Sequence, residues 1–148
     1  MIVQLFADQI ARQWDVVRHA LEHSLPPIAG EGEDRMERLL EALLCGRMQC
    51  WAIYRKEEEG VVMEALMCTT PIQDTNTGGA DLLIYSLYSF DFATQESWVS
   101  GLELLKNWAR GQGYTRIVAY TNNVRVLEMT EKLGGVAEYT YLSFNVGG

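Results

Sequence analysis

The sequence predicts an α/β (α+β) fold, a mixed central sheet of about six strands flanked by about four helices. The 148 residues form one domain. Three observations carry this reading. The stretch 81–135 reads strand, helix, strand, helix. A crossover from residue 82 to residue 121 implies a parallel or mixed sheet covered by helices. The chain is 48% hydrophobic, enough for a packed core, yet no apolar run reaches the ~20 residues that span a bilayer.

Residues 3–24 predict one amphipathic helix, because Phe6, Ile10, Trp14, Val17 and Leu21 recur at spacings of three and four. Leu25-Pro26-Pro27 ends it, since proline cannot continue a helix and restricts the residue before it. The loop after it carries Gly30-Glu31-Gly32, which lacks the third glycine and the Gly-Lys-Ser of phosphate loops. A second helix is predicted over 34–45, with Asp34 as N-cap and Gly46 as its C-terminal glycine. Strands at 49–55 and 61–69, joined by an acidic turn, predict a hairpin. The polar loop 71–80 leads into a strand at 82–90. The helix at 94–110 carries Trp98, Leu102, Leu105, Trp108 and Ala109 on a core stripe, and Trp98 at its start is placed to line a pocket. A strand at 116–121 precedes a last helix, N-capped at Asn122-Asn123 and closed by Gly134-Gly135. Residues 136–146 alternate like one or two further strands.

Charge narrows the function. The net charge is -8, from 20 acidic and 12 basic residues, which disfavours nucleic acid and anionic membranes as partners. The acidic runs at 31–34 and 57–59 read as solvated connectors. Met1-Ile2-Val3-Gln4-Leu5 lacks the basic start and cleavage site of a signal peptide, so a cytoplasmic protein is expected. Cys45, Cys50 and Cys68 are odd in number and form no CxxC pair, so all three are expected as buried small hydrophobes. His19-Ala20-Leu21-Glu22-His23 matches the zinc pattern H-x-x-E-H. The helix register puts both histidines roughly 160–200° from the apolar stripe, facing water, so no metal is expected.

Residues 123–135, Asn-Val-Arg-Val-Leu-Glu-Met-Thr-Glu-Lys-Leu-Gly-Gly, resemble N-x-x-A-x-x-L-Y-E-K-L-G-F, the ending pattern of the GNAT superfamily of N-acetyltransferases. The order of predicted elements is similar to that family over most of the chain. Gly46-Arg47-Met48-Gln49-Cys50-Trp51 is similar to the strand start of small GNAT-like proteins from phage genomes. The resemblance implies a GNAT-like sheet, acetyl-CoA as cofactor, and either a small amine or a protein as partner. It leaves a homo-oligomer open, and a phage origin would put the protein in the host cytoplasm or the virion. Cofactor contacts are implied at Leu87, Ser89, Thr94, Gln95, Glu96, Ser97 and Asn123.

Two departures stand out. The family's pyrophosphate loop, R/Q-x-x-G-x-G/A, falls on Ala93-Thr94-Gln95-Glu96-Ser97-Trp98, with Glu96 and Trp98 where glycines belong. Thr130 stands where the family keeps a tyrosine that protonates the leaving thiolate, and a threonine hydroxyl is far too weak an acid for that. Glu64, Asp91 and Tyr120 are the candidate catalytic residues, and both acids also fit surface or capping roles. The departures favour a non-catalytic GNAT-fold binding or virion-assembly module. The alternative is an acyl-CoA-dependent N-acetyltransferase acting on an unknown amine, with the oxyanion met by backbone N–H groups at the splayed ends of the strands 82–90 and 116–121.

Overall fold

The computed structural model describes residues 1–90 and 94–147. The elements run β1 (Ile2–Leu5), α1 (Ala7–Arg12), α2 (Trp14–Glu22), a 3-10 turn (Pro27–Ala29) and α3 (Arg35–Leu44). Then come β2 (Gln49–Glu57), β3 (Gly60–Gln73), β4 (Ala80–Ser89), α4 (Gln95–Gly111), β5 (Ile117–Ala119) and α5 (Val124–Lys132). The strands form one sheet in the order β1-β2-β3-β4-β5. It is antiparallel through β4 and parallel between β4 and β5. The mixed sheet and the crossover through α4 agree with the sequence.

The N-terminus corrects the single helix predicted over 3–24. Ile2 packs into the core on one face of the sheet and Leu5 into the core on the other, which suits a strand covered on both faces. Met1 and Tyr54 exchange backbone hydrogen bonds at 2.8 and 3.1 Å, which anchors β1 on β2. Phe6 leaves the apolar stripe and is 60% exposed. The helix then breaks at Gln13, whose φ of -110° and ψ of 21° are not helical. Only the later part of the predicted stripe, Ile10, Val17 and Leu21, is buried. Asp34 stands at the N-cap of α3 but makes no side-chain cap bond; its carboxylate accepts from Arg38 at 2.8 Å instead.

β3 is longer than predicted and runs through Pro71. Its pairing with β2 stops at Gln49↔Thr69, so past Thr69 that side of β3 is an edge. Proline is tolerated there because no ladder bond needs its missing N–H, while the other side still pairs Pro71 with Leu82.

The sheet separates two cores. Cys50, Ala52, Leu66 and Cys68 pack with Ile10, Val17, Leu21, Leu39 and Leu43 of the first three helices. The alternate residues Trp51 and Met67 pack with Leu82 and with Leu105 and Ala109 of α4 on the other face. Trp51 meets Trp108 edge-on at 5.1 Å and donates its Nε1–H to Thr69 at 3.0 Å. Thr69 passes the polarity on by donating to Gln49 at 2.9 Å.

The C-terminal strands expected at 136–146 are absent: among the described residues the sheet has five strands and no element follows α5. The alternation is present, but β5 is only three residues long and offers little edge to pair with. Val136, Tyr139, Leu142, Phe144 and Val146 are 72–103% exposed. The cysteines divide. Cys50 and Cys68 are buried and directly opposite each other across β2 and β3, whereas Cys45 is exposed.

Candidate functional site

The site begins where β4 and β5 part. At one end they are tied together. Leu82 N–H donates to the Arg116 carbonyl at 2.9 Å, and the Arg116 guanidinium grips both Asp81 carboxylate oxygens at 3.2 and 2.7 Å. Three parallel pairs follow, ending at Ile84↔Ala119. β4 continues through Ser89 with no described partner on that side, whereas β5 stops. A parallel sheet that splits in this way exposes backbone N–H groups on the inner edge of the longer strand, at the carboxyl end where open sheets hold ligands.

Two helix N-termini flank the split. Thr94 caps α4, its Oγ1 accepting from Ser97 N–H at 3.1 Å, and its carbonyl accepts from Trp98 N–H at 3.1 Å. Two donors of the first turn are therefore already taken. Gln95 and Glu96 are exposed in that turn, and the Glu96 carboxylate adds negative charge where an anion would approach. Asn123 caps α5 by accepting from Arg125 N–H at 2.9 Å, the role the sequence predicts.

Between α4 and the sheet lies an apolar cavity of about 70 Å³. Ile84 and Leu87 of β4, Ala65 of β3, and Trp98, Gly101 and Leu102 of α4 are among its walls. Its two polar lining residues, Ser89 and Ser97, sit at the end of β4 and the first turn of α4. Of the seven cofactor contacts the resemblance implies, three (Leu87, Ser89 and Ser97) thus line one cavity. Thr94, Gln95 and Glu96 form the adjoining helix start, and Asn123 belongs to the other helix. Trp98 lines a pocket, as the sequence predicts.

Glu64 is the residue the sequence places least well. It is 0% exposed, not a surface or capping acid. The register between β2 and β3 slips at this point, from Ile53↔Ala65 to Tyr54↔Met63, so Glu64 is the extra residue of a β-bulge. Its carbonyl accepts from Phe90 N–H at 2.7 Å, which puts it beside the end of β4. Both carboxylate oxygens are buried without a hydrogen bond among the described residues, and the Arg55 guanidinium stands 3.6 Å away. A charge surrounded by Val61, Val62, Met63, Ala65, Leu66 and Met67 in sequence was the available signal. Asp91, the other acidic candidate, lies outside the described residues.

Tyr120 follows directly on the last β5 residue and so stands at the open end of the split. It is 40% exposed and meets Tyr141 edge-on at 5.3 Å. Thr130 is occupied elsewhere, donating its hydroxyl to the Val126 carbonyl at 2.7 Å within its own helix.

The histidine pair is exposed but packs on protein. His19 and His23 stack at 4.2 Å between ring centroids and lie edge-on or tilted against Tyr88 of β4. His23 Nδ1 is hydrogen-bonded to the His19 carbonyl at 2.8 Å, and Glu22 accepts from Arg18 at 2.8 Å. Among the described residues no cluster of three or more His, Cys, Asp or Glu is arranged to hold a metal. No described helix is long and apolar enough to cross a membrane.

No family model matches the sequence, and no curated protein sequence does. Solved structures match over nearly the whole chain. One, a probable acetyltransferase, has a TM-score of 0.68 at 14% identity and covers 99% of this chain and 97% of its own. A predicted acetyltransferase from Clostridium acetobutylicum, solved with acetyl-CoA, has a TM-score of 0.66 at 15% identity, with 99% and 96% covered. The aminoglycoside acetyltransferase meta-AAC0020 from an uncultured soil metagenomic sample, in complex with trehalose, scores 0.66 at 11% identity, with 99% and 95% covered. The chain has a divergent GNAT-like fold.

Proposed function

We propose that this chain is an acyl-CoA-dependent N-acyltransferase acting on a small amine. The observation that carries the reading is the parting of β4 from β5 after Ile84↔Ala119, beside the end of α4 that carries Thr94 and Ser97. The GNAT-like fold supports it. The residues present fit the acyl end of such a cofactor better than its pyrophosphate. Leu87, Ser89 and Ser97 meet at one cavity, whereas Glu96 sets a negative charge at the phosphate end.

When bound, acyl-CoA supplies a thioester. A carbon–nitrogen bond to the amine forms, the carbon–sulfur bond breaks, the amine gives up a proton and the thiolate takes one. The backbone N–H groups of β4 beyond Ile84 serve as donors to the developing oxyanion. Glu64, its carboxylate buried and without a hydrogen bond among the described residues, receives the amine proton. Tyr120 gives a proton to the thiolate in place of the engaged Thr130.

A second reading keeps the fold and drops the chemistry, leaving a binding module. The occupied Thr130 hydroxyl and the carboxylate of Glu96 favour it. Kinetics with acetyl-CoA and a panel of small amines decide between the two. Glu64→Gln is expected to lower kcat/KM by about 10²- to 10⁴-fold, with a melting temperature unchanged or higher. No heat of binding from acetyl-CoA at millimolar concentration sinks the enzyme reading. Tight binding with no turnover, indifferent to Glu64→Gln, establishes the module.

A further inference from the structure

The cavity under α4 is chemically unlike the rest of the split. Its volume of about 70 Å³ is several times the ~10–15 Å³ that a single water needs. Its walls are carbon: Ala65, Ile84, Leu87, Trp98 and Leu102, closed beneath by the fully buried Leu105. Water there would find almost no hydrogen-bond partners, so the cavity stays dry or holds apolar atoms. It reaches the surface at Ser89, an exposed residue at the end of β4 and next to the split. Trp98, which replaces a glycine of the family's phosphate loop, weakens the cradle for pyrophosphate and at the same time builds one side of this apolar wall.

We propose that the cavity binds the aliphatic chain of an acyl group longer than acetyl, so that the preferred donor is a short-chain acyl-CoA. This rests on the acyl-CoA reading above and adds the class of acyl group. Each further methylene leaves water for carbon walls, which is worth roughly fourfold in affinity.

Gly101 offers the sharpest test. It lies within α4 and lines the cavity, and a Cβ built there meets nothing within 4 Å, so the first carbon of a larger side chain is accommodated. Calorimetry with CoA, acetyl-CoA and butyryl-CoA measures the preference directly. Butyryl-CoA, with two more methylenes than acetyl-CoA, is expected to bind roughly fifteen times more tightly. In Gly101→Leu that ratio is expected to fall to about one, with circular dichroism and melting temperature reporting an intact fold. Should Gly101→Leu not fold, Ala65→Val narrows the cavity from the sheet side and repeats the test. CoA binding with acetyl- and butyryl-CoA within twofold of each other overturns the acyl-chain proposal and leaves the acyl-CoA reading standing. A preference for butyryl-CoA that survives filling of the cavity also overturns it. Failure of all three ligands to bind overturns both.

Discussion

A carboxylate at a β-bulge, sealed from water and facing a single guanidinium at 3.6 Å, is costly to hold. Burying a carboxylate without hydrogen bonds opposes folding, and Arg55 is 30% exposed and keeps Glu57 at 2.7 Å when Glu64 is replaced. Glu64→Met is therefore expected to leave the melting temperature unchanged or raise it and, on the acyltransferase reading proposed above, to abolish acyl transfer. A clear loss of stability would show instead that Glu64 is a structural partner of Arg55. Gly135 is constrained in the opposite way, by space. A Cβ there would lie 2.5 Å from Thr130 Cγ2 and 3.1 Å from the Thr130 carbonyl oxygen. Thr130 cannot turn aside without breaking its bond to Val126. Gly135→Ala is expected to cost about 1–3 kcal/mol by denaturant unfolding. Adding Thr130→Ser, which removes Cγ2 and keeps the hydroxyl, should recover part of it, so additive losses in the double-mutant cycle would refute the clash.

At the scale of elements, each helix beside the split is held by one side-chain cap. Asn123→Ala is expected to cost about 1 kcal/mol, whereas Asn123→Asp keeps an acceptor for Arg125 N–H and preserves stability. The pair separates capping from ligand contact. If Asn123 also meets an anionic cofactor, the aspartate variant holds its melting temperature and loses affinity for it. Glu96 presents the converse trade. A carboxylate in the first turn of α4 favours the helix dipole by about 0.3–1 kcal/mol. Glu96→Gln should lose a little stability and, on the acyl-CoA reading proposed above, bind CoA more tightly, read by thermal shift and by titration. Unchanged affinity would place the phosphates away from α4.

Across the whole molecule, the buried Cys50 thiol and the half-buried Tyr85 phenol make stability sensitive to alkali. The Cys68 sulfur beside it, together with burial, pushes the Cys50 thiol up from 9.0. Burial likewise raises the Tyr85 phenol above 10.0. A raised pKa in the folded state means the unfolded chain releases its proton first. The stability these groups contribute is complete below pH 9.0 and declines above it, with Tyr85 joining above pH 10.0. Urea titrations from pH 8 to 11 check this, and Cys50→Ala should flatten the first part of the decline. At the other end, Arg38 and Arg18 hold the Asp34 and Glu22 carboxyls low, so what those pairs contribute is lost as pH falls through the folded values.

Much of the frame was legible because it is local. The apolar period of α4, the cap at Asn123, the glycines Gly46, Gly113 and Gly134, each at positive φ, and the hairpin of β2 and β3 all depend on neighbours close in sequence. Misreadings fall where distant segments decide. Ile2–Leu5 is a strand because β2 offers it an edge, which no residue near it announces. The tail at 136–147 has a strand's alternation but finds only the three residues of β5.

The same division runs through the site. By itself the sequence determined the order of elements, the glycine-poor start of α4 and the absence of tyrosine at position 130, because these are matters of residue type and spacing. Only the tertiary structure decided that Glu64 is buried, that Gly101 and Ala65 complete the walls of the cavity Trp98 lines, and that β4 outruns β5. Burial, register slips and voids are sums over side chains from β2, β3, β4 and α4, and they exist only once those elements have packed.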